Sequence, residues 1–141
     1  MTKTYYLDTC VWRDFFEGRM NKAGKPIGDY AARLFMKILK NKDKVLFSEA
    51  LALELKKDYN EEDIKDMLSL LFLSGILIRV DITTEESTEA KILSSQRNLP
   101  FVDCLHAIQA RNHCAIMVSR DKHFINNLSD VIKTIRPEEI I

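Results

Sequence analysis

The hydrophobic positions of this chain fall in short blocks whose spacing alternates between two patterns. Tyr5-Tyr6-Leu7, Val45-Leu46-Phe47, Ile76 to Ile82, Ala115 to Val118 and Val131 to Ile135 are compact apolar runs and read as five strands. Between them lie segments with helical spacing. Val11 to Phe16 opens a short helix. Asp29 is placed as the cap of a helix that carries Tyr30, Leu34, Ile38 and Leu39 on one face. Ser48 is placed as the cap of a helix reaching Lys57. Glu61 to Ser74 is a helix stopped by Gly75, and Thr83 or Thr84 caps another that runs to about Asn98 ahead of Pro100. Val102 to His113 is the last. The stretch Arg19 to Gly28, with Gly24 and Pro26, reads as a loop.

Strands that alternate with helices predict a three-layer α/β/α sandwich around a mostly parallel five-stranded sheet. Apolar runs without period-2 alternation fit strands covered on both faces. Ligands in such sheets bind beyond the carboxyl ends of the strands, so the residue after each strand matters most.

Composition narrows the picture only a little. The chain has 141 residues, 46% of them hydrophobic, which suits one globular domain over residues 1–141. Lys plus Arg and Asp plus Glu are equal at 21 each, so a nucleic-acid surface would have to be a local patch. Cys10, Cys104 and Cys114 are odd in number and scattered, which suits a reducing, cytoplasmic setting better than a disulfide framework. The N-terminus lacks the form of a signal peptide, and no apolar run approaches the roughly 20 residues of a membrane span.

The carboxylates change the picture more. Asp8 follows the first strand and Asp121 the fourth, which puts both at one edge of the sheet. Either alone reads equally as a turn or cap residue. Glu54 lies within Ala50-Leu51-Ala52-Leu53-Glu54-Leu55, where an ionised side chain needs a partner, a metal or a route to solvent. Asp103 opens its helix on a face shared with Ala107 and Ala110, while Leu105 and Ile108 belong to the core stripe. Its competing role is support of the helix dipole, and that role suffices for Glu49.

Taken in order, Tyr6-Leu7-Asp8-Thr9, Ser48 with Glu54, Asp103-Cys104-Leu105-His106-Ala107 and Ser119-Arg120-Asp121 with Phe124 resemble the PIN domain. The likeness is greatest to the small stand-alone VapC-type toxins. It implies a helix-covered parallel sheet, a divalent cation (Mg²⁺ or Mn²⁺) at the strand ends, and metal-dependent cleavage of RNA. It implies Asp8 and Asp103 as the first candidates for metal ligands, with Glu54 and Asp121 completing the site. Thr9 and Ser119 stand beside the acids, either as supporting hydrogen-bond donors or as ordinary turn hydroxyls. An antitoxin is the implied partner. An Arg inserted from such a partner into the acidic pocket would displace the metal.

Other readings stay open or close at once. A binding module without catalysis, or a DNA nuclease, would share the same fold. Arg13 and Arg120 suit pairing or solvent better than RNA, and the run Lys37, Lys40, Lys42, Lys44 is also explained by the helix dipole. Leu70, Leu71, Phe72 and Leu73 serve either buried core or a homodimer face. Cys104, His106, His113 and Cys114 lack zinc-site spacing, Cys10 and Cys104 read as small packing groups, and His123 reads as a surface residue. No glycine-rich phosphate loop is present, and Cys10 stands where a haloacid-dehalogenase-type phosphatase needs a second Asp.

Overall fold

The computed structural model describes residues 2–18 and 23–141. Five strands form one sheet: β1 (Thr4–Leu7), β2 (Lys44–Ser48), β3 (Leu77–Val80), β4 (Ile116–Val118) and β5 (Thr134–Ile135). Their order is β3-β2-β1-β4-β5, and all four pairings are parallel. The register sets Leu7 beside Val118 and Tyr6 beside Leu46, so the chain leaves β1 and β4 side by side. Among the described residues six α-helices link the strands: α1 (Thr9–Glu17), α2 (Ile27–Asn41), α3 (Glu49–Leu55), α4 (Glu61–Leu73), α5 (Thr84–Arg97) and α6 (Phe101–Asn112). A π-helical turn (His123–Asn127) and a 3-10 turn (Pro137–Glu139) flank β5.

The strand order moves one way from β1 to β3, then reverses to β4 and β5. Right-handed crossovers therefore put α5 and α6 on the face opposite the earlier helices. Helices α1 and α2 pack together, as do α5 and α6. The reversal opens a crevice between the carboxyl ends of β1 and β4, the place where such sheets bind ligands.

Burial explains the strand patterns. Tyr5, Tyr6, Leu7, Val45, Leu46, Phe47, Met117 and Val118 are buried, whereas the edge strand β3 is half exposed and shorter than its apolar run suggests. Val131 lies in a turn, leaving only two residues in β5. Helix α2 begins two residues before the expected cap: Pro26 precedes it, Asp29 lies in its first turn, and the buried face runs through Ile27, Ala31, Leu34, Phe35 and Ile38. Tyr30 and Leu39 are only half-buried. Of the expected loop Arg19 to Gly28, residues 23–26 are irregular and Ile27 and Gly28 are helical; residues 19–22 lie outside the described residues.

Helix α3 ends at Leu55 and gives way to a turn before Lys57. Its Ser48 cap accepts from the Ala50 amide, as the sequence suggests. Thr83 and Glu86 form a reciprocal capping box on α5. Gly75 ends α4 with φ of 71°, a conformation that costs a residue with a Cβ. Helix α6 departs from the expected two-faced pattern. Every residue from Asp103 to Ala110 is buried, so its acid sits inside the molecule together with its core stripe. No helix among the described residues is long and apolar enough to cross a membrane.

Candidate metal centre

Asp8 occupies the cap position of α1, yet its carboxylate makes no capping bond. It accepts instead from the Ser119 hydroxyl at 2.9 Å on Oδ2, while the Thr9 hydroxyl, which donates to Glu54, lies 3.2 Å from Oδ1. The side chain is thereby turned from its own helix into the crevice, where it is buried. Ser119 also receives the Asp121 amide at 3.0 Å, so one hydroxyl ties the two strand-end acids together. Asp121 does cap locally, since its Oδ1 takes the His123 amide at 2.9 Å.

Glu54 projects from α3 and is half-buried rather than enclosed; the neighbouring Leu53 is 56% exposed. Its Oε1 receives the Thr9 hydroxyl at 2.7 Å and meets His106 Nε2 at 2.5 Å. Burial alone would push this carboxyl up. The His106 and Thr9 hydrogen bonds and the Arg13 charge outweigh it, and hold the carboxyl below its ordinary value. Asp103, in the first turn of α6, meets His123 Nδ1 at 2.7 Å. Burial and the nearby charges of Asp121 and Asp8 raise its carboxyl above the ordinary range against the pull of His123. Reciprocally, the hydrogen bond to Asp103 and the charge of Asp121 raise the His123 imidazole.

The four sequence-chosen acids come together. Asp8, Glu54, Asp103 and Asp121 line one cavity of roughly 160 Å³, with Thr9, Cys10 and Arg13. They arrive from four separate elements, and two sets of three ligand atoms arise. Asp8, Glu54 and His106 bring one atom each within 4.8 Å of one another, and so do Asp103, Asp121 and His123. Oxygen-rich sets of this kind suit hard divalent cations, and the partly exposed His123 imidazole adds a donor type that Mn²⁺ accepts more readily than Mg²⁺.

Two members of these sets were not singled out by the sequence. His123 lies partly at the surface, as expected there, but it also touches both Asp103 and Asp121. The signal was its place two residues after a strand-end acid and directly before Phe124, whose buried ring anchors the turn. His106, weighed with the cysteines for zinc, instead reaches Glu54. The two arginines are engaged by carboxylates. Arg13 pairs with Asp58 at 2.5 Å at the crevice wall. Arg120 points away from its neighbour Asp121, toward Asp14 at 3.3 Å, Glu138 at 2.9 Å and the face of Tyr30. Cys104 is buried, whereas Cys10 lines the crevice, where burial and the Asp8 charge push its thiol up.

Comparison with solved structures places the same architecture in toxin–antitoxin systems. VapBC2 from Rickettsia felis, bound to a DNA fragment from its promoter, superposes with a TM-score of 0.64 at 20% identity, covering 94% of this chain and 98% of that one. A toxin–antitoxin complex from Klebsiella pneumoniae gives 0.63 at 13% identity over 94% and 97%. FitAcB from Neisseria gonorrhoeae gives 0.62 at 16% identity over 95% and 98%. Identities this low establish a shared fold and nothing finer. A search of curated protein sequences returns no match. The family model described as "PIN domain" matches residues 5–127, a span that runs from β1 through the turn after β4 and contains all four acids of the crevice. The chain belongs to the PIN domain family.

Proposed function

We propose that the crevice is a divalent-cation site and that the protein is a metal-dependent endoribonuclease acting through Asp8, Glu54, Asp103 and Asp121. One observation carries this reading: four carboxylates from four elements converge on one small cavity at the switch point of a parallel sheet. The donor set fits Mg²⁺ or Mn²⁺. The raised Asp103 carboxyl marks negative charge held together without enough compensation, which a cation would supply. When bound, such an ion acidifies a water for attack on phosphorus and balances the charge of the phosphate oxygens.

The residues of the chain set the geometry. Ser119 fixes one oxygen of Asp8, and Thr9 and His106 hold one oxygen of Glu54. Asp121 is held by its own turn. Arg13, anchored on Asp58, supplies a cationic edge against which an RNA phosphate can settle. Arg120 is committed to Asp14 and Glu138 and is assigned no RNA contact. The whole chain, 1–141, is read as one nuclease domain working in the cytoplasm.

Membership of the PIN family supports nuclease chemistry, and the solved neighbours support a toxin paired with an antitoxin. An antitoxin that places an Arg in the crevice would compete with the cation for the same carboxylates. A homodimer is also proposed. Leu71 is core, but Leu70, Phe72 and Leu73 are exposed on α4, so the run exceeds what this core absorbs.

The test is cleavage of a single-stranded RNA in Mn²⁺ by wild type and by Asp8→Asn. The variant should keep the wild-type circular dichroism spectrum and lose cleavage by at least about a hundredfold. Full activity in Asp8→Asn would sink the assignment. A wild type that cleaves single-stranded DNA but not RNA would replace the substrate with DNA.

A further inference from the structure

Beneath the crevice the imidazole of His106 is fully buried, and both of its ring nitrogens are engaged. Nε2 meets Glu54 Oε1 at 2.5 Å, and Nδ1 meets the Tyr6 hydroxyl at 2.6 Å. Tyr6 is itself fully buried on β1. An apolar pair of similar size would fill this space without the desolvation cost of three polar groups. The polar chain also leads somewhere. It begins in the core and ends on the one carboxylate of the crevice that projects from a short helix beside an exposed leucine.

An ionised Glu54 only accepts, so Nε2 carries the proton that it shares with Oε1. In the neutral ring Nδ1 then offers a lone pair to the Tyr6 hydroxyl, 2.6 Å away. The Tyr6 phenol keeps its proton, because burial and the surrounding acids raise it well above the ordinary value. The same hydroxyl lies 3.3 Å from Gln109 Oε1, which also takes the Ser48 hydroxyl; the contact to His106 is the shorter of the two. Gln109 is in turn fixed by donating to the Asp81 carbonyl at 3.2 Å and to Glu86 at 3.4 Å. The side chains around Tyr6 and His106 are thereby held in place from four elements of the fold.

We propose that Tyr6 and His106 are positioning residues that clamp Oε1 of Glu54 and so present Oε2 to the divalent cation. The proposal rests on the nuclease reading, because it needs Glu54 to serve a cation. Both hydrogen bonds on this carboxylate end on Oε1, and Oε2 accepts none among the described residues. A free glutamate side chain has three soft torsions and would spread Oε2 over many positions. Two donors from α1 and α6 remove that freedom before an ion arrives.

Two measurements test this. Nitrogen-15 NMR of the metal-free wild-type protein reads the tautomer of His106 directly. The expected result is a proton on Nε2 and a hydrogen-bonded lone pair on Nδ1. A proton on Nδ1 with a bare Nε2 would overturn the clamp, whatever the protein's activity. Calorimetric titration with Mn²⁺ then compares wild type, His106→Leu, His106→Gln and Tyr6→Phe, each also in an Glu54→Gln background. His106→Leu should weaken Mn²⁺ binding by about 10- to 100-fold. His106→Gln, which restores a donor and an acceptor, should recover most of it, and Tyr6→Phe should lose less than His106→Leu. In the Glu54→Gln background, His106→Leu should cost nothing further. Unchanged affinity in folded His106→Leu, or the same loss with and without Glu54, would overturn the proposal and leave the nuclease reading standing. Wild-type protein that binds no Mn²⁺ would remove both. Should His106→Leu not fold, Tyr6→Phe and the tautomer decide the matter.

Discussion

Replacing Asp121 by Asn should make the metal-free protein more stable and the metal-bound protein less so. A ligand oxygen of Asp121 lies within 4.8 Å of one from Asp103. Two full charges at that distance repel by about 3.5 kcal/mol at an effective dielectric of about 20. Asp121 is 36% exposed and His123 sits between the two acids, so screening and compensation cut this figure. A net gain of about 1 kcal/mol is expected for Asp121→Asn in EDTA, or roughly 2–4 °C in Tm for a chain of this size. Asn retains the Oδ1 that accepts the His123 amide, so the turn is preserved.

The gain must depend on pH in one direction. Folding raises the Asp103 carboxyl, partly through Asp121. A raised acid costs the folded state stability as pH climbs from the unfolded value of about 3.9 through the higher folded one. His123 works the same way in the balance. Its raised folded value contributes stability that is fully present below about 6.5 and is lost as pH rises through the folded value. Removing Asp121 forfeits some of that contribution only where the imidazole is charged. The advantage of Asp121→Asn should therefore be largest near pH 8 and shrink toward pH 4. With Mn²⁺ at about 100 times its Kd, wild type should gain about 2.7 kcal/mol by linkage and overtake the variant. Calorimetric melts of both proteins, in EDTA and in Mn²⁺ across this pH range, measure every quantity. A variant that is less stable than wild type in EDTA at pH 8, with an undiminished Mn²⁺ shift, would refute the account of the crevice as repelling carboxylates.

Three further outcomes follow from single contacts. Ser119→Ala removes the hydroxyl shared by Asp8 and the Asp121 amide, and should weaken Mn²⁺ binding by about 10- to 100-fold while changing Tm little; titration calorimetry reads it. Thr83→Ala breaks the capping box of α5 and should cost about 1 kcal/mol in urea unfolding, with cleavage activity retained. The Asp130 carboxyl, lowered to about 2 by the Arg97 guanidinium, contributes stability above its unfolded value of about 3.9 that disappears as pH falls through about 2. In Arg97→Ala, carboxyl NMR should find Asp130 titrating near the ordinary value, and a titration left near 2 would show that Arg97 is not the cause.

Periodicity and strand-end position are local properties, and they were sufficient for the architecture and for setting Asp8 and Asp121 at one edge of the sheet. Buried strands such as Tyr5-Tyr6-Leu7 announce themselves by apolar runs, and an acid directly after one must lie at the sheet's ligand edge. Glu54 stood out because a charged group in an apolar setting is costly without a partner, and Asp103 because it opens its helix on a face shared with small alanines. The limits of the weaker elements did not follow. The run Ile76 to Ile82 keeps only β3 in the sheet, because pairing with β2 ends at Val80.

Only the tertiary structure decided which neighbours the acids have. Asp8 could have capped α1, but the Ser119 hydroxyl, 111 residues away, holds it in the crevice. Arg120 adjoins Asp121 in sequence and yet serves Asp14 and Glu138, since the chain turns its side chain to the other side. His106 and His123 meet Glu54 and Asp103 across 52 and 20 residues, distances over which no periodicity operates. Secondary structure follows from spacing along the chain, whereas charge compensation follows from proximity in space, and proximity exists only once the sheet has been assembled.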